Sequence, residues 1–207
     1  MKTSTESNII KSSTSLPAPV FTRPEEVPKG PVGLWSLPVI IALNNFVFKS
    51  LSNWSLNFAI GCLHACLFCY VSSVSANKLA SKLERFGIGD PDSEWGHYLL
   101  LRPWDEEEFR KSLRRAEAIP VSDLKPDGNR AVMLCTTTDP YQTIRHPDPE
   151  LQQKLNAHFR FIVQRSVQLI RDESSLNVRI LTRSALARKD FDLFKSLGNR
   201  QIGRAHV

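Results

Sequence analysis

The strongest constraint on this chain is an alternation. From residue 54 onward, short apolar runs trade places with stretches of helical spacing. "WSLNFAIG" (54–61), "HYLLLR" (97–102), "RAVMLCTTT" (130–138) and "NVRILTRS" (177–184) have the length and apolar content of strands. Between and after them, "NKLASKLERF" (77–86), "DEEEFRKSLRRAEAI" (105–119), "PELQQKLNAHFRFIVQRSVQLIRDE" (149–173) and "KDFDLFKSLG" (189–198) place apolar residues at three- and four-residue steps. The second of these starts with acids and ends with bases, which suits the helix dipole, and the last closes on Gly198. Alternation of this kind predicts an α/β fold with parallel strands and right-handed helical crossovers. A barrel and an open doubly wound sheet both fit, and both bind ligands at the carboxyl ends of their strands. The cysteines after the first strand, Arg102 after the second, "TTTD" (136–139) after the third and "TRS" (182–184) after the fourth would share that face.

The 207 residues suffice for one sizeable core. Residues 1–33 are rich in Ser, Thr, Pro and Lys without apolar period, and read as a flexible tail; residues 34–200 read as the globular core. The longest apolar run, "LWSLPVIIAL" (34–43), is too short to span a bilayer and carries Pro38, so no membrane partner is expected. The N-terminus lacks the apolar block of a secretory signal, and a cytoplasmic location follows as the default. There thiols stay reduced, which disfavours a disulfide reading of the cysteines. The net charge of +6 permits a nucleic-acid partner without requiring one, since a run such as "RKSLRRAEA" is usually a solvated helix face.

Three of the four cysteines, Cys62, Cys66 and Cys69, fall within "GCLHACLFCY" (61–70). Chance placement of two more at +4 and +7 has odds of about one in a few thousand, so a shared ligand is the natural cause. Thiolates bind zinc and iron–sulfur clusters. A structural zinc site needs four ligands; His64 sits between two of the cysteines, where reaching a common metal would strain the loop, and Cys135 is the remaining thiol. A cubane cluster has four irons, so three thiolates leave one open to bind a small molecule, as catalytic zinc keeps an open position.

The spacing C-x-x-x-C-x-x-C, with Phe68 before the last cysteine, resembles the signature of radical S-adenosylmethionine enzymes. "SLSNWSLNFAIGCLHACLFCY", "VMLCTTTDPYQ" and "RILTRSALARKDFDLFKSLG" are similar, in the same order, to segments of the subfamily related to spore photoproduct lyase, from about Leu51 to Gly198. The departures are Asn57-Phe58-Ala59 for "NPY", Val71-Ser72 for Ala-Arg, and Arg183 for the Lys of "TKS". The resemblance implies a partial parallel (β/α) barrel of about four units and a 4Fe-4S cluster on Cys62, Cys66 and Cys69. It implies that the open iron binds S-adenosylmethionine, that reductive cleavage yields a 5′-deoxyadenosyl radical for hydrogen abstraction, and that a flavodoxin or ferredoxin supplies the electron. It leaves the substrate open. A lyase that repairs DNA and a non-catalytic zinc module are the alternatives.

For the remaining residues the resemblance implies a set of cofactor contacts. Phe68 sets its backbone near the adenine, Thr138 and Asp139 hold the ammonium and ribose, Arg183 receives the methionyl carboxylate, and Ser184 is a further cofactor contact. Each has a plainer alternative: packing for Phe68 and Tyr70, turn and cap formation for Thr138 and Asp139 before Pro140, a surface ion pair for Arg183 and Arg102. His64 is expected to hydrogen-bond within the loop. Cys135 reads as a small buried residue and as a weak candidate hydrogen donor. The last seven residues, "QIGRAHV" (201–207), fit nothing before them; they resemble translated sequencing-adapter read-through and are expected to have no packed role, the gene continuing beyond.

Overall fold

Asp148-Pro149 opens the longest element. The Asp148 carboxylate accepts hydrogen bonds from the backbone N–H groups of Glu150 and Leu151, and Pro149 occupies the first turn, where no N–H is needed. From there helix α3 (Pro149–Glu173) runs for 25 residues, with Leu155, Phe159, Ile162, Val163, Ser166, Val167 and Ile170 along its buried face. Arg200 caps the other end, donating to the carbonyls of Ser174 and Arg171. Helix α2 (Glu106–Glu117) is capped by Asp105 in the same way and buries Phe109, Leu113 and Ala116. Glu106 accepts from both Arg110 and Arg165 and so bonds α2 to α3.

This is a computed structural model, and it describes residues 20–45 and 51–205. Among the described residues eight short strands form two sheets. The larger runs β2 (Ile41–Leu43), β3 (Trp54–Leu56), β6 (Ala131–Leu134), β7 (Asn177–Thr182), β8 (Gln201–Ala205). Within it β3, β6, β7 and β8 are parallel, in register at Trp54↔Val132, Val132↔Val178 and Ile180↔Gly203, while β2 is antiparallel to β3. α3 connects β6 to β7, and α4 (Phe191–Lys195) lies between β7 and β8. The smaller sheet has β5 (Leu99–Leu101) at its centre, parallel to β1 (Val32–Leu34) and antiparallel to β4 (Ala59–Gly61). One apolar cluster joins both sheets to α2 and α3; a smaller one, around Trp35, Ile60, Phe86, Tyr98 and Leu100, lies under the helical turns that include α1 (Ala80–Leu83).

The α/β class expected from the alternation is present, with mixed sheets in place of an all-parallel set. Residues 54–61 are not one strand. The chain leaves the larger sheet at Asn57, whose side-chain oxygen takes the N–H of Thr137, and re-enters the smaller one at Ala59. The "LLL" of β5 belongs to that smaller sheet: all three leucines are buried, so both faces are covered and no polar–apolar alternation marks a partner. The expected tail over residues 1–33 is also corrected. Residues 1–19 lie outside the described residues, but Phe21 and Val27 are buried in the main core, the Phe21 carbonyl accepts from Trp104 N, and β1 pairs with β5. An extended backbone with prolines at unpaired positions can lie on a core without helical or strand period. Residues 201–205, expected to have no packed role, form the edge strand β8 through backbone pairing, which depends little on side-chain identity. Among the described residues no helix is long and apolar enough to cross a membrane.

Candidate functional site

The cysteine loop leaves β4 through Gly61, whose φ of +86° is a left-handed backbone. A Cβ here would stand 2.4 Å from the Tyr98 ring and carbonyl oxygen, so only glycine fits. Ala65, also left-handed at φ +47°, turns the chain between Cys62 and Cys66, and Gly96 leaves room for its methyl group. Cys69 N donates to Cys66 O at 3.0 Å, which starts the helical turns that follow. Cys62 is buried; Cys66 and Cys69 are half-buried.

The loop is tied to the segment after β6 by side chains the sequence reading did not single out. Gln142 accepts from Leu63 N at 2.5 Å and donates to Thr138 Oγ1 and Asp139 O, both at 2.9 Å. Asn57 bonds Thr136 Oγ1 at 3.2 Å and Thr137 N at 3.1 Å. Thr138 Oγ1 in turn donates to Gly61 O at 2.6 Å. Both offered a signal: Gln142 closes the "TDPYQ" segment, and Asn57 stands at the Asn of "NPY".

Together these elements enclose a cavity of about 610 Å³ at the carboxyl ends of β6 and β7. Cys62, Cys66, Cys69 and Phe68 line it from the cysteine loop, Cys135 to Asp139 from the end of β6, and Leu181, Thr182 and Arg183 from the end of β7. Three of the four segments expected to share a face thus meet at this cavity. Arg102 and Ser184 are not among the lining residues. Arg102 is turned to the carbonyls of Leu37 and Pro38, and Ser184 caps a 3-10 turn by accepting from Leu186 N.

Asp139 is the most heavily bonded group in the site. Its carboxylate accepts from Tyr141 N, Thr182 Oγ1 and Arg183 N, each at 2.8 Å, and stands 3.5 Å from His64 Nε2. Burial pushes this carboxyl up, but the bonds from His64 and those three donors outweigh it and hold it below the usual carboxylate range. The same contact raises the His64 imidazole. Nearby, Tyr141 Oη donates to buried Asp190 at 2.9 Å, and Gln164 donates to the same carboxylate. "DPYQ" and "TRSALARKD" therefore interlock: Asp139 reaches forward to Thr182 and Arg183, and Asp190 reaches back to Tyr141. Thr138 and Asp139 spend their polar atoms within the protein, as turn and bridge formers. Thr137 keeps a side-chain hydroxyl without a partner among the described residues.

The thiols differ. Burial pushes Cys62 up to about 11, and burial also pushes up Cys135, which ends β6 at φ +61° with its N–H on Leu56 O. Cys66 Sγ accepts from the Arg183 guanidinium at 2.7 Å, and that guanidinium also lies 5.2 Å above the Phe68 ring. Arg183 is thus held on the cysteine loop rather than free in the cavity. Among the described residues no three Cys, His, Asp or Glu side chains stand close enough together to share one metal ion.

The chain is 32% identical over 162 residues to the uncharacterized protein ORF301 of Acidianus two-tailed virus. That match takes in 77% of this chain and 44% of the viral protein, so the chain spans less than half the length of the curated relative it matches. No family model matches the chain, and no solved structure does.

Proposed function

We propose that this chain carries the cofactor site of a radical S-adenosylmethionine enzyme. Cys62, Cys66 and Cys69 hold a 4Fe-4S cluster, and S-adenosylmethionine occupies the cavity beside it. One observation carries the reading: three thiols at +0, +4 and +7 on a single loop line the same 610 Å³ cavity as the carboxyl ends of β6 and β7. That volume suits a small-molecule ligand. A single ion gathers all its thiolates at about 2.3 Å from one centre; a cubane takes each thiolate on a different iron and so accepts sulfurs set farther apart. When bound, the cluster and its ligand supply one-electron cleavage of a C–S bond and a carbon-centred radical.

The protein's own part is positioning. Gly61 and Ala65 shape the loop, Gln142 and Thr138 fasten it to the end of β6, and Asp139 fastens that segment to the end of β7. Arg183 presents positive charge to Cys66, and the Thr137 hydroxyl and the unpartnered Trp95 Nε1 are polar groups left for the ligand. A reductant such as flavodoxin or ferredoxin is the implied electron donor. Because Cys135 lines the same cavity, a four-thiolate zinc module is the second reading.

Anaerobic reconstitution with iron and sulfide tests both. The first reading expects a brown protein with about four irons and four sulfides, loss of that complement in Cys66→Ala, and release of 5′-deoxyadenosine when dithionite and S-adenosylmethionine are added. Tight zinc with no sulfide would establish the second reading and end the first.

A further inference from the structure

A second hollow, of about 960 Å³, borders the cysteine loop at Leu63 and His64. His64, His97, Arg145, Arg188 and Lys189 line it, and among the described residues no Asp or Glu does. A smaller hollow of about 390 Å³ adjoins it through Gln142, Thr143, Leu186 and Lys189 and adds Arg160. Its one carboxylate, Asp190, is buried and already taken by Tyr141 and Gln164. The two hollows thus form one open track with cationic side chains along its length.

Eight other cations of the described residues are ion-paired, and the track's Arg and Lys side chains are not. Arg110, Lys111, Lys154, Arg165 and Arg171 each meet a carboxylate on their own or a neighbouring helix. Arg145, Arg160, Arg188 and Lys189 are exposed and form no ion pair among the described residues. Four like charges gathered around a concave surface without a compensating acid repel one another, and a concave wall focuses their field on whatever enters. Exposed Thr143 adds a hydroxyl donor. Guanidinium groups match the geometry of phosphoryl oxygens, bonding them in pairs.

We propose that this track binds the consecutive phosphoryl groups of a polyanionic ligand, Arg145, Arg188 and Lys189 making the central contacts. The track does not depend on the cysteines holding a cluster. Its ligand is either a short polyphosphate or the backbone of a nucleic-acid strand, and the chemistry of recognition is the same.

The test uses the full chain and a fluorescein-labelled single-stranded oligonucleotide, with inorganic tripolyphosphate as competitor, read by anisotropy over a salt series. The parent chain is expected to bind at low salt, and the R145A/R188A/K189A variant at least tenfold more weakly. The slope of log affinity against log salt should fall by about two, at roughly 0.7 per lost contact to a single strand. The R114A/R115A variant, altered on the exposed face of α2, and Cys66→Ala should bind like the parent; the latter keeps this result separate from the fate of the cysteine site. Displacement by tripolyphosphate at concentrations matching its own binding assigns the track to short polyphosphates, and oligonucleotide binding that resists it assigns the track to a strand. Absence of binding by both probes, parent-like binding by the triple variant, or equal weakening in either control would overturn the proposal.

Discussion

At Gly61 the chain turns out of a strand directly into the cysteine loop, and the turn leaves no room for a side chain. A methyl group would meet the Tyr98 ring and carbonyl oxygen at 2.4 Å, on a backbone already at φ +86°. Backbone and a fully buried ring cannot both give way. Gly61→Ala is therefore expected to lower stability by about 3 kcal/mol or more, seen as a lower urea midpoint with an unchanged slope. Arg183 makes a different prediction. Its guanidinium donates to Cys66 Sγ at 2.7 Å, and positive charge beside a thiolate favours the reduced, more negative form of a cluster bound there. In Arg183→Met the reconstituted cluster should reduce at a more negative potential, with its iron content unchanged; an unmoved potential would detach Arg183 from the cysteines. That the three cysteines belong to one place could be read from spacing alone, because three rare residues at fixed intervals have few causes. The partners of Asn57 and Gln142 could not. An amide that joins two loops works through its position in space, and nothing in its local sequence records which carbonyl it will meet.

The helices show the opposite balance. α2 and α3 were legible because each states its own boundaries: an Asp cap, acids or Pro in the first turn, and an apolar stripe at three- and four-residue steps. Asp148→Ala removes the acceptor for two N–H groups at the start of α3, and about 1 kcal/mol of stability should go with it, read as a lower melting temperature with little change in far-ultraviolet ellipticity. The strands state less. Residues 54–61 look continuous, yet Asn57 diverts them into a second sheet, and the wholly buried β5 has no exposed face from which its partner could be inferred. Tyr141 and Asp190 show how sheet ends become fastened. Tyr141→Phe leaves a buried carboxylate with Gln164 as its remaining side-chain partner. It is expected to cost about 1–2 kcal/mol, measured by chemical denaturation, without altering cluster content if the cysteine loop is held separately by Gln142.

Over the whole molecule, one buried histidine holds together parts that the sequence keeps far apart. His158, on α3, accepts the N–H of Phe21 on Nδ1 at 3.3 Å and donates through Nε2 to the carbonyl of Arg102 at 2.9 Å. The N-terminal segment, the end of β5 and α3 meet at this imidazole, which is why residues near 21 join the core despite lacking any periodic signal. The arrangement works only for the neutral ring: protonation would turn Nδ1 from acceptor to donor against an N–H that has no lone pair to offer. Burial accordingly pushes His158 down to about 4, opposed by the bond to the Arg102 carbonyl and then by the nearby acid Glu26. The unfolded chain, with an ordinary imidazole near 6.5, takes up this proton at a higher pH than the folded protein does. The contribution to stability is thus complete above about pH 6.5 and declines as pH falls towards 4, by roughly 3 kcal/mol at 1.36 kcal/mol per pH unit. Carboxylates held low, such as Asp139 and Glu106, lose their own contributions as well on acidification, so the test is a difference. In urea titrations between pH 7 and pH 4, His158→Gln should start less stable than the parent and show a shallower decline, the two curves converging near pH 4. Parallel curves would mean that the proton taken up on unfolding goes elsewhere, and that this contact holds the N-terminal segment without making it sensitive to acid.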